Sequence, residues 1–279
     1  MDPRIPIALD QRLTADAAAW LADAVARIGQ DAAAVRGLFP AVGRRCGRDP
    51  LVAGWTVADA ARARLLTALP LGGAALAEEI TALHRYGDPA EQRAVLLCLA
   101  LLEDGDASFA DRGLPLVRAA LRGNDTDLIE SALGPYAARH LDAEGYRQAV
   151  LKSVFCGIPL ARIAGLADRA DGELARMLVD FAHERVAAGR DVPADVWPVL
   201  RAHPGTLEAS GLPAETTSAS PDRRDAAVRA LAAFSATAVS TSADPAPAPA
   251  PDTDTAPATA TALTPTRGTA PGAAPAGAV

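Results

Sequence analysis

The stretch GDPAEQRAVLLCLALLEDG, residues 87–105, decides the fold. Asp88 stands where a side-chain oxygen can accept from the free N–H groups of a helix start. Pro89 takes the first helical position, where a missing N–H costs nothing. Glu91, three residues after Asp88, completes the capping spacing. Val95, Leu99 and Leu102 then fall on one side of the helix, with Leu96 and Cys98 beside them. The apolar run AVLLCLALL is closed by Glu103 and Asp104, so it is too short to span a bilayer. A second start of the same kind, GNDTDLIESALG, begins at Gly123, 36 residues after Gly87. A glycine and a short acidic turn opening an apolar helix twice at this interval is the spacing of stacked helical pairs.

Helical periodicity recurs on both sides of this stretch, and strand alternation is nearly absent. TADAAAWLADAVARI starts at a capping Thr14 and places Trp20, Leu21, Val25 and Ile28 on adjacent turns. Further helices are expected from Thr56 to about Leu69, where Pro70 closes the run, from Ala74 to Arg85, from Ala143 to Phe155 and from Gly172 to Ala188. A short one is expected near Pro193. The fold class expected is all-α: stacked helical pairs resembling a short HEAT-like α-solenoid, with an irregular helical bundle as the alternative.

Composition divides the chain. From His203 onward Pro, Ala, Thr and Ser dominate, ending in PAPAPAPDTDTAPATATALTPTRGTAPGAAPAGAV. Such a segment has little apolar area with which to offset its ordering entropy. Residues 1–202 are therefore expected to form the helical domain. Residues 203–279 are expected to be a disordered tail with a short helix at 222–236, where Val228, Leu231 and Phe234 share one side. With 27 basic against 34 acidic residues the net charge is -7, which argues against a nucleic-acid partner. Cys46, Cys98 and Cys156 lack metal-ligand spacing, and Cys98 and Cys156 read as small buried hydrophobes. The start MDPRIPIALD has no signal-peptide pattern, so a cytoplasmic protein is expected, with peripheral membrane contact left open. No metal and no cofactor is implied.

Polar residues inside the apolar pattern are the candidates for chemistry. On ELARMLVDFAHERVAAG, Leu174, Leu178 and Phe181 share a face, Met177 flanks it and Arg185 falls in its middle. A buried arginine needs a partner, and an internal ion pair is the expectation. His183 projects nearly opposite, and Glu184 beside it diverges by about 100 degrees, so adjacency makes no general base. HERVA lacks the second histidine of a zinc helix. Arg176, Asp180 and Glu184 form a compensating polar edge. Lys152, the only lysine in the chain, shares a stripe with Gln148 and is expected at a surface or cleft edge, while Arg147 lies closer to the apolar side. Convergence of Arg147, Lys152 and Arg185 would make an anion site. Scatter would make each a local fastener. GRRCGRD, residues 43–49, reads as a surface loop, and Asp104, Asp106 and Asp111 as a solvated loop.

The run AVLKSVFCGIPLARIAGLADRADGELARMLVDFAHERVAAGR, Ala149 to Arg190, resembles the EboA-domain family, described as metabolite-traffic proteins. The similarity extends through DTDLIESALGPYAARHLDAEGYRQ upstream. The resemblance implies characteristic polar positions at Lys152, Arg162, Arg176, His183, Glu184 and Arg185, and a characteristic turn at Gly157, Pro159 and Gly165. Gly134 stands where relatives often carry an asparagine before the proline, and another asparagine is often found near the position of Tyr146. It also implies an association with movement or maturation of a secondary metabolite, in gene clusters with prenyltransferase-like and sugar-modifying enzymes. The function expected is that of an accessory protein binding a metabolite or a biosynthetic enzyme of the same pathway. One alternative is an enzyme acting on a phosphorylated or otherwise anionic small molecule, and a second is a scaffold without a ligand.

Overall fold

The computed structural model describes residues 2–52, 54–103, 105 and 107–240. Their helices run in chain order as α1 (Arg4–Arg12), α2 (Ala15–Gln30), α3 (Val35–Leu38), α4 (Val42–Arg45), α5 (Val57–Thr67), α6 (Gly73–Tyr86), α7 (Pro89–Leu102) and α8 (Ala107–Arg122). The second half adds α9 (Thr126–Ala132), α10 (Pro135–His140), α11 (Ala143–Phe155), α12 (Leu166–Arg169), α13 (Gly172–Ala187), α14 (Trp197–Ala202), α15 (Pro204–Glu208) and α16 (Pro221–Ser240). Short 3-10 turns at Ala32–Ala34, Leu160–Arg162, Ala194–Val196 and Pro213–Thr217 join them. Among the described residues there is no β-strand, only an isolated bridge between Pro50 and Thr56. The chain is all-α.

Helix starts follow the capping chemistry of the sequence. Thr14 accepts from the Ala17 N–H at 3.2 Å, and Asp125 accepts from the N–H groups of Asp127 and Leu128 at 3.0 and 3.1 Å. Asp88 accepts from the Glu91 N–H at 2.8 Å while Glu91 accepts from the Asp88 N–H at 3.3 Å, closing the expected capping box with Pro89 at the first helical position. Thr56 and Asp59 form a second such box at the start of α5. From α5 to α10 the helices pack in two rows, α5 on α7 on α9 and α6 on α8 on α10. Within this stretch Asp111 belongs to helix α8 rather than to a loop, while Asp104 and Asp106 lie outside the described residues. Cys98 is fully buried as expected, but Cys156, expected to be buried too, is only half-buried.

Beyond α11 the packing changes. Helix α13 contacts α11, α14, α15 and α16, so it forms the axis of a small bundle instead of one more layer. Its buried face carries Leu174, Leu178 and Phe181 together with Ala175, Val179, Ala182 and Val186. The packed unit also runs past the expected boundary at residue 202. Leu207 and Leu212 are buried, and α16 lays Ala226, Ala227 and Ala230 against the bundle, with Phe234 edge-on to the buried Trp197 at 6.0 Å between ring centroids. The expected 222–236 helix is therefore part of the fold, lengthened to Pro221–Ser240. Alanine contributes little area per residue, but its size lets backbones approach closely enough to cover a tryptophan. The tail from residue 241 lies outside the described residues.

Candidate functional site

A cleft opens where residues 50–52 and 54–56 face α7, α9 and the 160–165 turn. Two adjoining hollows of about 470 and 480 Å³ share Gly54, Trp55, Arg93, Glu130 and Arg162. The loop is held by its own backbone, the Leu51 N–H donating to the Trp55 carbonyl at 2.8 Å and the Val57 N–H to the Asp49 carbonyl at 2.9 Å. Trp55 is half-buried there. The opposite wall is the turn the sequence singles out. The Ala164 N–H donates to the Leu133 carbonyl at 3.0 Å, the Tyr146 hydroxyl to the Ala164 carbonyl at 2.7 Å, and the Leu160 N–H to the Asp195 carboxylate at 2.9 Å. Gly165 has φ +75°, and a Cβ there would meet the Ala138 Cβ at 2.9 Å, so both its conformation and its contact require glycine.

Both arginines of the cleft are paired with carboxylates. Arg162 donates to both Glu130 carboxylate oxygens at 3.0 and 3.2 Å. Arg93 donates to the Gly54 carbonyl and to the buried Asp59, which also accepts from the Thr56 N–H at 2.8 Å and its hydroxyl at 2.6 Å. Glu130 and the exposed Asp127 of the first turn of α9 bring two carboxylates beside the two arginines and an indole, and Asp127 makes no ion pair among the described residues. Such a surface offers hydrogen bonds in both directions.

The other candidates scatter. Lys152 donates to the carbonyls of Leu121 at 2.6 Å and Gly123 at 2.5 Å, tying α11 to the end of α8. Arg147 makes a two-pronged pair with Asp171 (3.0 and 2.6 Å), the N-cap of α13, and holds that carboxyl down at about 2. Arg176 pairs with Glu173 and Asp180 along the edge of α13, each at 2.7 Å, and Glu184 is exposed. His183 faces the C-terminal segment: its Nε2 lies 3.1 Å from Glu215, and a Cβ on Gly211 would meet its ring at 2.6 Å. Arg185 overturns its expectation. It is only half-buried and makes no ion pair among the described residues; its Nε donates to the Asp191 carbonyl, and its guanidinium stands 5.9 Å from the Phe181 ring. At the last turn of a helix a long side chain can lay its stem on the apolar face and carry its head to the rim. Lys152, Arg147 and Arg185 thus meet three different partners and do not converge.

The family model described as metabolite traffic protein EboA matches residues 45–201. The chain belongs to the EboA family. Comparison with curated proteins gave no match, and comparison with solved structures gave none either. The EboA match takes in the whole cleft and all seven candidate polar residues, whereas α1 to α3, α15 and α16 lie outside it. Within the match, Arg162 and Gly134, two positions singled out by the EboA resemblance, both border the cleft.

The sequence reading missed Trp55, Arg93, Asp59 and the ions behind them. Arg62 is 2 % exposed, donating to the Phe39 carbonyl at 3.3 Å and the Ala90 carbonyl at 3.2 Å, with Glu91 3.7 Å away. Burial lowers the Arg62 pKa and raises that of Glu91. The available signal was α5 itself, apolar around most of its circumference, so that an arginine within VADAARARLL had to be enclosed. Among the described residues no group of three His, Cys, Asp or Glu is placed to hold a metal, and no helix is long and apolar enough to cross a membrane.

Proposed function

We propose that this chain is a non-catalytic accessory protein of the cytoplasm that binds a small metabolite of a secondary pathway during its traffic or maturation. The observation that carries this reading is the cleft bordered by Trp55, Arg93 and Arg162, in which both arginines are already paired with carboxylates. Its size falls in the range of small-molecule sites. An indole beside balanced donors and acceptors suits a neutral, ring-bearing molecule with hydroxyl or carbonyl groups, in which the ring lies on Trp55 and the polar groups meet Arg162 and Glu130. The non-catalytic part is supported by the dispersal of Lys152, His183 and Arg185, which meet different partners and form no acid–base pair with one another.

The test is to expose the purified full chain to a small-molecule extract of its producing cells, wash it, and identify what denaturation releases by mass spectrometry. A compound enriched on the wild type and lost from both Trp55→Leu and Arg162→Gln, with helical content retained, is the expected outcome. Equal enrichment on the variants rejects the cleft. Conversion of the compound by the wild type would reject the non-catalytic reading. If nothing is enriched, a pathway enzyme becomes the better partner.

A further inference from the structure

A second cavity, between α8 and α11, has the opposite electrostatics. It is an open hollow of about 360 Å³ and shares no lining residue with the cleft. Arg118, Arg122 and Lys152 border it, among the described residues no carboxylate does, and Leu121, Leu141 and Ala149 supply apolar surface. Three cations around one hollow stand out in a chain of net charge -7. Their bonding leaves capacity unused. An ammonium has three donors, and Lys152 commits two of them to the Leu121 and Gly123 carbonyls. Those contacts also cover the electronegative end of α8, which would otherwise repel an anion. Arg122 makes no ion pair among the described residues, and Arg118 has a single long contact of 3.4 Å to Asp142. In the cleft, by contrast, both arginines are committed to carboxylates.

We propose that this cavity binds a phosphate-type oxyanion carried on an apolar body. The oxyanion would sit among Arg118, Arg122 and the remaining N–H of Lys152, and the body would lie on Leu121, Leu141 and Ala149. Guanidinium groups match phosphate oxygens in pairs, and the volume exceeds what a bare phosphate fills. The same chemistry is presented by a soluble alkyl phosphate ester and by the headgroup of an anionic lipid.

Calorimetric titration of the full chain with hexyl phosphate and with inorganic phosphate tests the proposal. Hexyl phosphate should bind at least about tenfold more tightly, through its apolar chain. Arg118→Gln combined with Arg122→Gln, both at exposed positions, should weaken it by roughly tenfold or more while leaving the circular dichroism and the thermal midpoint in place. A parallel flotation assay uses phosphatidylcholine vesicles with and without phosphatidic acid. Flotation that needs phosphatidic acid and is lost in the double variant supports the site with a lipid headgroup as its source; titration without flotation supports it with a soluble ester. Equal affinity for the two phosphates, binding in either arm that survives the double substitution, or no binding in both arms overturns the proposal.

Discussion

Helices α5 and α7 solve the same electrostatic problem as α11 and α13, but in a different medium. In each helix of the first pair the carboxylate three residues into the capping box is met by an arginine from the other helix: Arg93 of α7 meets Asp59 of α5, and Arg62 of α5 approaches Glu91 of α7. In the second pair Arg147 of α11 meets Asp171, the cap of α13. The Asp59 and Arg62 side chains are 3 % and 2 % exposed, whereas that of Asp171 is 44 % exposed. Loss of one partner in the interior leaves an ion where water cannot reach it; loss of one partner at the rim leaves a solvated group. The α13 bundle is held instead by apolar closure through α16.

The largest effect expected tests that closure. A chain ending at residue 203 loses the cover over Trp197, Leu200 and Val199, all buried, and should be destabilised by on the order of 5 kcal/mol, a large share of a domain's stability. A chain ending at residue 242 should unfold in urea as the full chain does. Equal midpoints for the two truncations would show that α16 rests on the bundle without supporting it.

Arg62→Ala comes next. It strands the Phe39 and Ala90 carbonyls and the Glu91 carboxylate, at a cost of about 3–5 kcal/mol in urea unfolding. Arg62→Met combined with Glu91→Gln should recover much of that loss, because no unpaired ion remains. Arg185→Ala should stay within about 0.5 kcal/mol of wild type, since its head is already at the rim. A large Arg185 effect would mean that its guanidinium, standing over the Phe181 ring, carries weight the hydrogen bonding does not reveal.

Lys152→Met is expected to be intermediate, about 1 kcal/mol, because the α8 terminus loses a charged donor to two carbonyls. The lone lysine is thus a fastener first. Thermal melts of Lys152→Met and Lys152→Arg separate the ammonium geometry from the charge: recovery in the arginine variant would make charge sufficient.

The helices were legible because their starts are written locally. Asp88, Pro89 and Glu91 announce α7, and the residues that follow them bury as their spacing requires. What was not legible depends on distance or on size. The cleft joins Trp55 to Arg162, segments more than a hundred residues apart, and Trp55 sits in a loop with no period to read. Arg185 was placed by a helical wheel, which knows the direction of a Cα–Cβ bond but not how far a long side chain travels. Helix α16 reads as a short helix within a tail because alanine offers little area, yet Ala226, Ala227 and Ala230 are buried against the bundle. His183 had its partner, Glu215, in that same discounted segment.

The smallest expected effect is in the acid limb, where the two helix pairs should differ in sign. Arg147, and after it the Leu174 N–H, holds the Asp171 carboxyl at about 2, below its ordinary 3.8. Above pH 3.8 the stabilisation is fully present; as the pH falls toward 2 the unfolded chain takes up the proton first and the stabilisation drains away. Glu91 runs the other way. Burial raises its pKa, so its contribution is fully present below the ordinary 4.5 and is lost as the pH rises through the raised value. Urea unfolding of Arg147→Gln across the acid range should therefore show a flatter loss between pH 3.8 and 2, muted because Asp171 is well exposed, and Glu91→Gln should flatten the decline above 4.5. Should Arg147→Gln track the wild type in parallel at every pH, the Arg147–Asp171 pair positions α13 without coupling its stability to the proton. The contrast between the two helix pairs would then be one of burial alone.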